Sequence, residues 1–83
     1  MYKILIEKTV QKQIEKIPEP DYSRVKKAIT DLAINPRPVG YIKLKGRKGY
    51  RIRQGDYRII YEVKDNILCV FILEVGDRKN IYD

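Results

Sequence analysis

The stretch YRIRQGDYRIIY, residues 50–61, decides the fold. Each half alternates, and Gly55-Asp56 between them suits a two-residue turn, because glycine at the first central position accepts the positive φ required there. With that turn Gln54 faces Tyr57, Arg53 faces Arg58, Ile52 faces Ile59 and Tyr50 faces Tyr61. Tyr50, Ile52, Ile59 and Tyr61 then share a packing face, and Arg51, Arg53 and Arg58 crowd the other. Directly opposed like charges cost a sheet about 0.2–1 kcal/mol per pair. An anion that arrives later would explain such a cluster.

Downstream, the apolar run ILCVFILEV predicts a further strand over 67–75, with Asp65-Asn66 as its turn and Arg58 opposite Leu73. The chain leaves through VGDRKNIYD, which brings Arg78 out beside the arginine hairpin, with Tyr82 four residues on. Upstream, GYIKLKGRKG (40–49) reads as a basic loop punctuated by glycine. Its Lys43, Lys45, Arg47 and Lys48 are candidate contacts to an RNA backbone. NPRP (35–38) ends a helix that Asp21 caps and that runs to Ile34. On it Tyr22, Val25, Ile29, Leu32 and Ala33 share one face, and Arg24, Lys26, Lys27 and Asp31 point outward. PEP (18–20) separates this helix from one over 10–17, capped by Thr9 and striped by Val10, Ile14 and Ile17. YKILIE (2–7) is the first strand. The pattern predicts one α+β domain over 1–83, in the order βααβββ, with a helical hairpin packed on one face of a small, mostly antiparallel sheet. Where the first strand joins that sheet does not follow from pattern.

The 83 residues are 43% hydrophobic and 35% charged, with a net charge of +7. That excess favours nucleic acid or acidic partners. No apolar run approaches the ~18 residues needed to span a bilayer, so no membrane partner is expected. The start, MYKILIEK, lacks a signal-peptide core, which points to the cytoplasm. There is no histidine and one cysteine. Imidazole bases, catalytic triads and zinc spacings are therefore absent, and no metal or cofactor is expected. Catalysis would rest on Arg, Lys, Tyr, Asp or Glu. Clustered guanidinium groups suit a phosphodiester, because they bind phosphate oxygens in pairs and stabilise a pentavalent transition state. RNA carries an internal 2′-hydroxyl nucleophile that DNA lacks, so cleavage through that hydroxyl is a reaction these residues could support.

The run YRIRQGDYRIIYEV, the ending VGDRKNIYD, LKG at 44–46 and the element order together resemble the RelE/ParE superfamily of toxins from type II toxin–antitoxin pairs, closest to the RelE-like branch. The resemblance implies a ribosome-dependent mRNA endoribonuclease that cuts message in the A site without a metal, leaving a 2′,3′-cyclic phosphate and a 5′-hydroxyl. It implies a cognate antitoxin that blocks the site, and operator DNA reached through the antitoxin complex. The catalytic positions it implies are Arg51, Arg53, Arg58, Arg78 and Tyr82. Some relatives carry lysine where Arg51 and Arg53 stand, and many carry histidine where this chain has Asp77. Permanently charged arginine is a poor base. Arg51 and Arg53 are therefore expected as electrostatic stabilisers, Arg78 as the ligand of the scissile phosphate, and Tyr82 as the group orienting the 2′-hydroxyl. Two alternatives stay open: a ParE-like toxin that poisons DNA gyrase, and a non-catalytic basic module that docks an acidic partner.

Overall fold

The computed structural model describes residues 1–77; the expectations for Arg78 and Tyr82 lie outside the described residues. Strand β1 (Lys3–Ile6) leads into helices α1 (Lys8–Glu15) and α2 (Asp21–Asp31). Then come β2 (Ile42–Lys43), β3 (Tyr50–Gln54), β4 (Tyr57–Lys64), a 3-10 turn (Asp65–Ile67) and β5 (Cys69–Asp77). The sheet order is β1-β5-β4-β3-β2. Strand β1 runs parallel to β5, and the remaining pairs are antiparallel. The α+β architecture read from the sequence is the one observed, with a short additional strand, β2, inside the basic segment taken for a loop.

Both helices bury their apolar stripes against one face of the sheet. Val10, Ile14 and Ile17 from α1 and its end, and Val25, Ile29 and Leu32 from α2 and its end, form one core with Ile52, Ile59, Tyr61, Val70, Ile72 and Val75. The helix ends differ from expectation. Helix α1 starts before Thr9, with extended Glu7 at the cap position and no side-chain cap. Asp21 is the first residue of α2 rather than its cap. The orphan donor there is met by Glu19, whose carboxylate accepts the Ser23 N–H at 3.0 Å and the Ser23 hydroxyl at 2.7 Å. These bonds hold the Glu19 carboxyl below its usual range. Regular α-helix also stops at Asp31. Leu32, Ala33 and Ile34 instead donate to the carbonyls three residues back, a tightened last turn before Pro36.

The loop after α2 is tied to the sheet. The Tyr61 hydroxyl, buried, donates to the Pro36 carbonyl at 2.7 Å. The Arg37 guanidinium grips Asp65 through both terminal nitrogens, at 3.2 and 2.8 Å, and lies 5.3 Å from the centre of the Tyr50 ring. The Tyr2 hydroxyl donates to the same carboxylate at 2.6 Å. Hydrogen bonds from Arg37, and then from Tyr2, pull the Asp65 carboxyl down to about 2.

The first hairpin has the expected register, Arg53 opposite Arg58 and Tyr50 opposite Tyr61, and Gly55 carries φ +61°. The second does not. Its connection uses four residues, with Leu68 in the left-handed region at φ 53°, so Lys64 pairs with Cys69. A bulge then shifts the register between Ile60 and Tyr61. Together they move Arg58 from the expected Leu73 to Gly76.

Candidate functional site

Strand alternation on β3 and β4 sets Arg51, Arg53, Arg58 and Ile60 on the face away from the helices, since their neighbours Ile52, Ile59 and Tyr61 belong to the helix-side core. Arg51 pairs with Ile60 and is 7% exposed, Arg53 is exposed, and Arg58 is half-buried. The Nε atoms of Arg51 and Arg58 are screened from solvent. The cluster is thus partly sunk into the protein, where a bound anion would feel it more strongly than on an open surface.

A feature not anticipated from the sequence explains the sinking. Leu44, Ile60 and Leu73 form a second, smaller core on the arginine face. Leu73 reaches it through the bulge: Ile72 and Val75 both enter the helix-side core, which leaves Leu73 and Glu74 together between them. Leu44 reaches it through a closed loop in which the Leu44 N–H donates to the Gly49 carbonyl at 3.0 Å. That loop needs its glycine. Gly49 sits at φ +118°, and a Cβ there would stand 2.7 Å from the Tyr61 carbonyl oxygen.

The loop also brings Arg47 over this face, where its guanidinium meets Glu74 at 3.4 Å. Lys45 and Lys48 are exposed on the same loop. Lys43 is placed differently, because it pairs with Tyr50 and so stands on the side of the sheet away from Arg51. At the far end Asp77 pairs with Tyr57, beside the Gly55-Asp56 turn, so β5 delivers the chain to the arginine end of the sheet. Among the described residues no cluster of His, Cys, Asp and Glu could hold a metal ion. No helix among them is long and apolar enough to cross a membrane.

Residues 4–82 match the family model described as the ParE toxin of the type II toxin–antitoxin system parDE. The chain belongs to the RelE/ParE superfamily of toxins. Three similar solved structures contain RelE toxins. The toxin is 32% identical to a chain of the archaeal RelE–RelB complex from Pyrococcus horikoshii OT3, with a TM-score of 0.83 over 96% of this chain and 98% of that one. It is 31% identical to a chain of the RelB–RelE antitoxin–toxin complex from Methanococcus jannaschii, with a TM-score of 0.74 over 95% of each. To the isolated E. coli RelE toxin the identity is 26% and the TM-score 0.79, over 93% of this chain and 84% of that one. The protein is therefore a RelE-type toxin of a toxin–antitoxin system. The comparisons agree with the fold and family expected from the hairpin and the terminal motif.

Proposed function

We propose that this toxin is a ribosome-dependent endoribonuclease that cuts mRNA in the A site. The observation that carries the reading is the direct opposition of Arg53 and Arg58, with Arg51 two residues along on the same face. Such a cradle presents several guanidinium groups to one phosphate and needs no reorganisation when negative charge builds up. In the proposed step the 2′-hydroxyl gives its proton to water as its oxygen attacks the adjacent phosphorus, the bond to the 5′-oxygen breaks, and that oxygen takes up a proton from water. The products are a 2′,3′-cyclic phosphate and a 5′-hydroxyl. Arg51, Arg53 and Arg58 stabilise the pentavalent phosphorane, Arg78 holds the scissile phosphate, and Tyr82 orients the 2′-hydroxyl. Arg47, Lys45, Lys48 and Lys43 contribute attraction to the surrounding RNA.

A cognate antitoxin of the RelB kind is the inferred protein partner, because the archaeal relatives were solved with RelB. Operator DNA would be met through that complex, and the place of action is the cytoplasm. The description of the matching family model favours one second reading, a toxin that acts on DNA gyrase.

Purified toxin added to a translating extract and to a supercoiling assay separates the two readings. Message cut inside ribosomes, abolished by Arg78→Ala with an unchanged circular-dichroism spectrum, is the expected result. Stalled supercoiling with intact message would replace the ribonuclease reading by the gyrase one. Inactivity in both assays would leave a binding module.

A further inference from the structure

A cleft of about 730 Å³ opens beside the arginine cradle, between α2 and the edge of β3. It lies where β2 stops: β2 pairs with Tyr50 and Arg51, and from Ile52 to Gln54 no strand among the described residues lies on this edge of β3. Its size falls in the ~300–1,000 Å³ range of ligand-binding clefts. Arg51 and Arg53 line one wall. Arg24 and Lys27 line the other, three residues apart and therefore on one face of α2. Ala28 and Val39 give the cleft apolar surface. Asp31, the single carboxylate among the described lining residues, is held by Lys27 at 3.0 Å.

We propose that this cleft binds the single-stranded RNA backbone flanking the scissile phosphate, with Arg24 and Lys27 as phosphate contacts. The choice of RNA rests on the ribonuclease reading; the charge and shape of the cleft do not. Among the described lining residues, four cations against one carboxylate make the cleft positive. Single-strand binders track the backbone with such a cationic groove and stack bases on aromatic side chains; the described lining of this cleft supplies the backbone-tracking part. Continuity decides the ligand. Arg51 and Arg53 project on the cradle face and border the cleft at the open edge of β3, so a strand with one phosphate in the cradle reaches the cations of α2 by passing over that edge. Two residues that look like solvent-facing helix charges in the sequence thereby become part of the substrate path.

The test uses a fluorescent single-stranded RNA with every 2′-hydroxyl methylated, which binds but cannot be cut. The Arg24→Ala/Lys27→Ala variant is expected to bind roughly tenfold more weakly, with a log–log salt slope shallower by about 1.4, two lost phosphate contacts at ~0.7 each. Asp31→Asn should shift affinity the other way, because it removes the competing carboxylate. Lys3→Ala/Lys12→Ala removes equal charge from exposed positions on β1 and α1 and should leave affinity within about twofold. Equal weakening by both double variants would reduce the effect to net charge and overturn the assignment. Displacement of the RNA by polyglutamate at matched charge would show a site for acidic polymers in general and would also overturn it. In message cleavage on ribosomes the cleft variant should raise KM more than it lowers kcat. If the wild type cuts message and the cleft variant binds and cuts equally well, the cleft proposal falls and the ribonuclease reading stands. If the wild type cuts nothing but the cleft variant loses RNA binding, the reverse holds.

Discussion

On one face of the sheet Ile52, Ile59, Tyr61, Val70 and Ile72 disappear beneath two helices; on the other, Arg51, Arg53 and Arg58 share the surface with the small Leu44–Ile60–Leu73 cluster. Strands β3 and β4 contribute to both faces, one residue out of phase. The first face follows the rule that apolar burial dominates stability. The second sets like charge against like charge, which stability alone would not select. On the reading proposed above, local rules broken on a fold that otherwise obeys them mark the substrate surface. Arg37 shows what an arginine kept for structure looks like here: both terminal nitrogens on Asp65 and the guanidinium stacked over Tyr50.

The sharpest way to break this division is to cross it. Tyr61→Ala empties a fully buried site and strands the Pro36 carbonyl. The expected loss is about 3–5 kcal/mol by urea denaturation, a large share of what a domain this small possesses. A loss under about 1 kcal/mol would mean the helix-side face is not the source of stability.

Arg53→Ala should do the opposite. Cleavage of message on ribosomes should fall about 10²–10³-fold, the usual effect of removing one transition-state donor. Stability should hold or rise by up to ~1 kcal/mol as the Arg53–Arg58 opposition is relieved. Cleavage at the wild-type rate would remove Arg53 from the chemistry.

A finer comparison sets Arg47→Ala against Lys43→Ala. Each removes one cation from the basic segment, but Arg47 lies over the arginine face against Glu74 and Lys43 beside Tyr50 on the other side. Arg47→Ala also leaves the Glu74 carboxylate uncompensated near the cradle. It should weaken RNA binding several-fold more than Lys43→Ala, as fluorescence anisotropy would show. Equal effects would mean that position on the sheet is irrelevant to these charges.

The smallest effect concerns acid. Arg37, then Tyr2, lowers the Asp65 carboxyl to about 2, below its value in the unfolded chain. The stabilisation is therefore complete above the unfolded pKa near ~4 and fades as pH falls toward 2. Because the group is exposed, the contribution is small. Asp65→Asn should flatten the pH dependence of the melting temperature between roughly 4 and 2, and a curve that keeps its slope would deny Asp65 that part.

Much of this was legible in the sequence because glycine and alternation speak clearly. Gly55-Asp56 sets a register that alternation then carries through to Tyr50 and Tyr61. The second hairpin was illegible for the same reason in reverse. Its turn depends on Leu68, a residue with no preference for the left-handed conformation it adopts, and its bulge lies in the near-continuous apolar run FILEV. Strand β2 is two residues long, too short to show a period. The meeting of Arg47 with Glu74, and the approach of the α2 residues Arg24 and Lys27 to the β3 edge, could not be read because that relation is tertiary. No spacing within the chain encodes it.

The place of β5 carries a consequence for how the molecule is made. It comes last among the strands of the described residues, yet it lies between β1 and β4, pairing with the first strand over Lys3–Cys69 to Ile6–Ile72. A nascent chain that has emerged only as far as Lys64 holds one strand stranded without a neighbour and a hairpin with an open flank. Such half-built species are slow to mature and prone to clump. The sheet therefore cannot close until β5 has been made, and any frameshift ahead of Cys69 removes the strand that joins β1 to the rest.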